Sequence, residues 1–242
     1  MLDPHHDAAP SQRPLTPNRV HALLKPLLIG LASLVLAYLF AQLGSEVGEG
    51  ETHAFDMYLL HGAQALRSRH PWLAEVLRDL SGLGSTVVLT LITVAAVGYL
   101  ALVALRTTAV LVAVSVISGS ALVTVLKAAF GRLRPDARFA ELVAPGLSFP
   151  SGHASMSAIV FLTLGVLIAS TRHRVAERMY ILATAALLTL LVGLSRVALG
   201  VHWATDVLGG WAFGAAWALA WLLLAQWLAR RGTANDTRPT AA

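Results

Sequence analysis

The chain has 242 residues, of which 56% are hydrophobic and only 13% charged, and its mean hydropathy is +0.67. Soluble domains carry about 25% charged residues, so this composition excludes an ordinary water-soluble globule and points to a bilayer. The net charge of +5 makes no case for nucleic acid, because 18 Lys and Arg are scattered among apolar blocks, and the absence of cysteine excludes disulfides and thiolate metal sites.

Residues 1–22 are polar and include Pro4, Pro10, Pro14 and Pro17, which predicts a disordered tail. The apolar block 23–43 is long enough to cross a hydrocarbon core about 30 Å thick. It is also longer than the apolar region of a signal peptide, so it is read as an uncleaved helix. Between residues 53 and 80, Trp72, Leu73, Val76, Leu77 and Leu80 recur on one helical face with Glu75, Arg78 and Asp79 opposite. That pattern predicts an amphipathic interfacial helix, either bordering lipid entry or packed on the bundle. Further spans are predicted at 85–105, 108–130, 154–170, 179–199 and 204–228. The expected fold is all-α: a six-helix membrane domain over 23–229, the amphipathic helix between its first and second spans, and a polar tail over 230–242.

An even number of spans puts both termini on one side. Ten Lys and Arg and four Asp and Glu fall in the segments on that side, against eight and nine on the other. The excess of positive charge assigns the termini to the cytoplasm. Three polar segments then fall together at the opposite, outer face.

The first segment follows the third span, where six residues separate Lys127 from Arg134 and Pro135 comes next. Isolated cations near helix ends usually snorkel to the headgroups, which suits Arg106, Arg172 and Arg174. Lys127, Arg134 and, at the end of the fifth span, Arg196 instead bring three fixed cations to one membrane face, where an anion is the natural partner. The second segment, Pro150-Ser151-Gly152-His153, opens the fourth span. Ser151 is placed as a helix N-cap and Gly152 lets backbone N–H groups approach an anion; alone, such a start is ordinary capping. His153 beside it is a candidate general acid. In the third segment His202 and Asp206 stand four residues apart, so on a helix the carboxylate can accept from one imidazole nitrogen and leave the other for attack on phosphorus. The remaining histidines, His5, His6, His21, His53, His61, His70 and His173, have no such spacing. Gly210 and Gly214 read as a helix-packing step, and the Trp-rich last span as packing against neighbours and lipid.

The residue types and both spacings resemble the three-part signature of the type 2 phosphatidic acid phosphatase superfamily, which includes membrane lipid phosphatases and soluble vanadium haloperoxidases. The resemblance covers about a third of the chain, from Lys127 to Asp206, and the apolar spans favour the membrane branch. It implies His202 as the nucleophile that forms a phosphohistidine, His153 as the acid protonating the leaving group, and Asp206 as the partner of His202. Lys127, Arg134, Ser151, Gly152 and Arg196 would hold the phosphoryl oxygens, with no metal or other cofactor. The implied activity is hydrolysis of a lipid phosphate such as polyprenyl diphosphate, phosphatidylglycerophosphate or phosphatidic acid. A lipid phosphotransferase and a silent lipid-phosphate binder or transporter are the alternatives. The expected partners are the bilayer and the lipid, without nucleic acid; the expected location is a bacterial inner membrane, with the site on its periplasmic face.

Overall fold

A computed structural model describes residues 17–236, and side chains over 24–231. The described residues form helices and one short 3-10 turn, Ala137–Phe139. The helices are α1 (Pro17–Glu49), α2 (His53–Arg69), α3 (Leu73–Gly82), α4 (Thr86–Leu102), α5 (Arg106–Phe130), α6 (Gly152–Ser170), α7 (Val175–Ala198) and α8 (Ala204–Asp236). Six stretches within them are long and apolar enough to cross a membrane, the second being Leu73–Leu102, where α3 runs into α4. The protein is an integral membrane helix bundle.

Of the tail expected over residues 1–22, residues 1–16 lie outside the described residues, while 17–22 form the first turns of α1. Proline at a first helical position loses no hydrogen bond, so Pro17 starts the helix instead of preventing it. At the other end α8 continues through Asp236. The amphipathic region forms two helices, broken at His70-Pro71. In α3, Ala74, Leu77 and Ser81 are buried, and Leu77 packs on Leu199 and Val201, while Trp72 and Val76 remain exposed. The segment therefore packs on the C-terminal end of α7 and keeps part of its apolar face exposed.

At the centre lies α6, against α7 on one side and α8 on the other, with α1 along the far side of α8. Side chains turned away from these contacts are apolar and exposed, as Leu34 and Leu91 are at 70% and 65%, which is the pattern of a lipid-facing surface. Association of apolar helices within lipid relies on close packing, because the hydrocarbon outside is as apolar as the interface. Gly210 and Gly214 supply that packing. A Cβ at Gly214 would stand 2.5 Å from the Ser155 carbonyl oxygen, and one at Gly210 would stand 2.9 Å from that of Ser151. The two helices touch through backbone, and their contact reaches the start of α6. Above it, the fully buried Phe149 has Phe40 stacked on it at 5.6 Å and Phe130 edge-on at 4.7 Å, with Phe213 against Phe40 at 5.7 Å. This cluster holds the chain entering α6.

Replacing Gly214 by Leu inserts a side chain where no space exists, and overpacking of this kind costs about 1–3 kcal/mol. Gly214→Leu is expected to melt several degrees lower than the parent in detergent, by tryptophan fluorescence, and to lose activity as α8 is pushed from α6. An unchanged melting curve would show that the contact does not set the spacing.

Candidate active site

The site is built outward from Asp206. This residue lies in the first turn of α8, where the helix dipole favours a carboxylate, and it is fully buried. A buried carboxylate needs donors. Asp206 accepts from His202 Nδ1 at 3.1 Å, the Trp203 amide at 2.9 Å and Arg132 Nη1 at 2.8 Å, and it also accepts from the Ser148 hydroxyl. Its backbone carbonyl accepts the Ser151 amide at 2.9 Å, which ties the start of α6 to that of α8.

His202 is 1% exposed. Its Nε2 lies 3.0 Å from Arg134 Nη1, and a guanidinium only donates, so Nε2 carries the lone pair and Nδ1 the proton shared with Asp206. Burial pushes the imidazole down to about 4 against the opposing pull of Asp206, leaving the ring neutral at physiological pH. A neutral ring with an unprotonated nitrogen is the state a phosphorus nucleophile requires. Arg134 is held across that nitrogen by the carbonyls of Val201 at 2.7 Å and Gly146 at 3.0 Å.

The other cations are anchored in a similar way. Lys127, in the last turn of α5, donates to the carbonyls of Leu147 at 2.7 Å and Ser148 at 3.2 Å. Arg196, in the last turn of α7, donates through Nη1 to Ser81 Oγ at 2.7 Å. Among the described residues none of Lys127, Arg134 and Arg196 forms an ion pair with a carboxylate. They are held in place by neutral oxygens and, for Arg134, by the His202 ring, with no carboxylate paired directly to them.

Ser151 caps α6 with an extended backbone, φ −64° and ψ 118°, and its side chain is completely buried. Its Oγ and the Nε of Arg196 are buried and have no hydrogen-bond partner among the described residues. Such orphans are rare in native proteins and mark places where a polar ligand belongs. Gly152 packs beside Lys127, whose Cε would be 3.8 Å from a Cβ added there. His153 follows in the first turn of α6, within electrostatic reach of Arg196, His202, Arg134 and Lys127. The eight residues singled out in the sequence thus gather at one end of the bundle.

Several residues of this constellation were not singled out. Arg132 donates through Nη1 to Asp206 and to Thr205 Oγ1 at 2.7 Å, and through Nη2 to Asp56 Oδ2 at 2.6 Å. Asp56, fully buried on α2, accepts from the Thr205 amide and hydroxyl as well. Unlike those three cations, Arg132 is locked between two carboxylates and serves as a structural bridge. Its position two residues before Arg134 was a signal, since a further arginine in so apolar a chain needs a partner. Asp56 and Ser81 had none, because only the packing of α2 and α3 onto the bundle brings them to the site.

Comparison with known proteins bears on the same residues. The PAP2 superfamily model matches residues 108–230, a segment that includes all eight. Phosphatidylglycerophosphatase B of Bacillus subtilis (strain 168) is 37% identical over 158 residues, covering 62% of this chain and 74% of that protein. The crystal structure of a transmembrane PAP2 type phosphatidylglycerolphosphate phosphatase from Bacillus subtilis superposes with a TM-score of 0.71 at 26% identity, over 86% of this chain and 98% of that one. With about half its length matched by the family model, and the histidines, Asp206 and the three cations all inside the match, the chain belongs to the PAP2 superfamily.

Proposed function

We propose that the protein is a membrane lipid phosphatase that removes the terminal phosphate of phosphatidylglycerophosphate through a covalent phosphohistidine on His202. The observation that carries this reading is the placement of three cations, none paired directly with a carboxylate among the described residues, and two orphaned buried polar groups around an imidazole nitrogen that bears a lone pair. The substrate is taken from the curated relative and the solved structure, both named as phosphatidylglycerophosphate phosphatases of Bacillus subtilis. Phosphatidic acid and polyprenyl diphosphate present the same phosphoryl group.

In this mechanism Lys127, Arg134 and Arg196 hold the nonbridging phosphoryl oxygens, with Ser151 Oγ and the first N–H groups of α6 completing the cradle. His202 Nε2 attacks phosphorus in line with the leaving oxygen, and His153 gives that oxygen a proton. As the P–N bond forms, the ring becomes cationic. Asp206, fixed through its other oxygen by Arg132, stabilises that charge at Nδ1. His153 then takes a proton from water, which attacks the phosphohistidine, releases inorganic phosphate and returns Nε2 to its unprotonated state. Fixed cations supply here the charge stabilisation that a divalent ion supplies at many phosphoryl-transfer sites.

The protein is also proposed to lie in a bacterial cytoplasmic membrane with its termini in the cytoplasm and the site on the outer face, a reading supported by the distribution of Lys and Arg between the two sets of loops.

His202→Ala is expected to lower turnover by about 10⁴-fold or more while lipid-phosphate binding persists, because the cations remain. Asp206→Asn should cost about 10²-fold or more, since it loses the charge facing Nδ1. Quenched wild-type enzyme should carry an acid-labile, base-stable phosphate that His202→Ala lacks; near-normal turnover by that variant would rule out the covalent route. Activity should survive excess EDTA and be inhibited by vanadate, which adopts the five-coordinate geometry of the transferring phosphoryl group. Loss on chelation, restored by one divalent ion, would contradict the all-protein site. On intact cells, a membrane-impermeant thiol reagent should label Ala137→Cys but not Ala176→Cys, and the reverse pattern would move the site to the cytoplasmic face.

A further inference from the structure

Beneath the catalytic residues a crevice of about 760 Å³ opens between α4 and α5. Its outer end is walled by Lys127, Gly152 and His153, and its inner end by Gly98 of α4 and Ala113 of α5. Lys127 and Ala113 are fourteen residues apart on one helix, so the crevice is about 21 Å long at 1.5 Å of rise per residue. That length exceeds the half-thickness of a hydrocarbon core, about 15 Å, and falls short of the whole, about 30 Å. Rim residues Val94 and Ile117 are 63% and 69% exposed, so the crevice opens sideways toward lipid. Thr93 and Thr124 also line it, and both hydroxyls donate to carbonyls of their own helices at 2.7 and 3.1 Å. Thr86, Thr90 and Ser120 add further hydroxyls, and the remaining wall, Leu89, Val97 and Val116 included, is aliphatic and suits a hydrocarbon chain.

We propose that this crevice seats one acyl chain of the lipid phosphate and that Gly98 and Ala113, at its inner end, set the longest chain that fits straight. The inference rests on the lipid-phosphatase reading above and adds to it a selection of the tail. Continuity with the catalytic cations identifies the occupant: a phosphate held by Lys127 stands at the mouth of the crevice, and the rest of the same lipid lies beyond it. Seating the chain contributes little affinity, because the bilayer it leaves is equally apolar. Its effect is geometric. A chain that fits orients the phosphate for attack by His202, whereas a much longer polyprenyl chain must bend out into lipid at the inner end.

Gly98 offers a direct test, since a Cβ added there meets no atom within 4 Å and a larger side chain has room to enter the crevice. Leucine is also the better helix former at this position. Wild type and Gly98→Leu would be assayed in detergent with dioctanoyl and dipalmitoyl phosphatidylglycerophosphate. The plug is expected to lower the palmitoyl-to-octanoyl ratio of kcat/KM about tenfold. An unchanged ratio would overturn the proposal. A palmitoyl substrate carrying a diazirine at the chain end, photolysed on the wild-type protein, should label residues around Gly98 and Ala113. Label confined to lipid-facing residues of α1 would count equally against it. Failure of the wild type to release phosphate from either lipid would overturn the phosphatase reading and this inference with it.

Discussion

The Asp206 carboxylate, shut away from water at the start of α8, is the constraint on which the rest of this site depends. An ionised group in such a place is tolerated only when surrounded by donors, and these come from three separate parts of the chain. Ser148 brings the end of the long loop before α6, Arg132 the segment after α5, and His202 and Trp203 the turn before α8. Satisfying one buried charge thus assembles most of the site. It also fixes the imidazole tautomer, because the proton on Nδ1 faces the carboxylate and leaves Nε2 unprotonated, facing Arg134.

The four cations around the catalytic residues divide by what surrounds them. Arg132 sits between Asp206 and Asp56, with both its charge and its geometry used inside the protein. Lys127, Arg134 and Arg196 are steadied by carbonyls, an imidazole and a serine hydroxyl, none of which neutralises them. Positive potential is therefore stored at a site whose anionic partner arrives from outside. Exchanging the roles would be costly in either direction, since a carboxylate beside Arg196 would compete with phosphate, and removing Asp56 would leave Arg132 without its second partner in the interior.

Packing within lipid explains why the site lies so close to helix ends. Backbone contact between α6 and α8 at Gly210 and Gly214 leaves no lateral play, so the N-cap of α6 and the first turn of α8 are held together, and the Ser151 amide reaches the Asp206 carbonyl. The small α2 and α3 helices act from above. Asp56 on α2 bonds Thr205 beside Asp206, and Ser81 on α3 steadies Arg196. The amphipathic segment thereby becomes part of the scaffold of the site.

The hydrophobic blocks by themselves determined a six-span helical bundle, because crossing a core about 30 Å thick demands long apolar runs that chain order cannot hide. Local spacing likewise exposed the site residues: a histidine and an aspartate one helical turn apart, a Pro-Ser-Gly-His helix start, and cations at the ends of apolar spans are short-range patterns. What only the tertiary structure decided is which charges are spent and which are free. Arg132 and Arg134 stand two residues apart with the same chemistry, and nothing local distinguishes them. One meets Asp56, more than seventy positions away, and the other lies over His202. The capture of Arg196 by Ser81 and the crevice along α4 and α5 belong to the same class. Each depends on which helix faces lie against one another, and that is set by close packing among surfaces of nearly uniform hydrophobicity, where the sequence carries no periodic contrast to read.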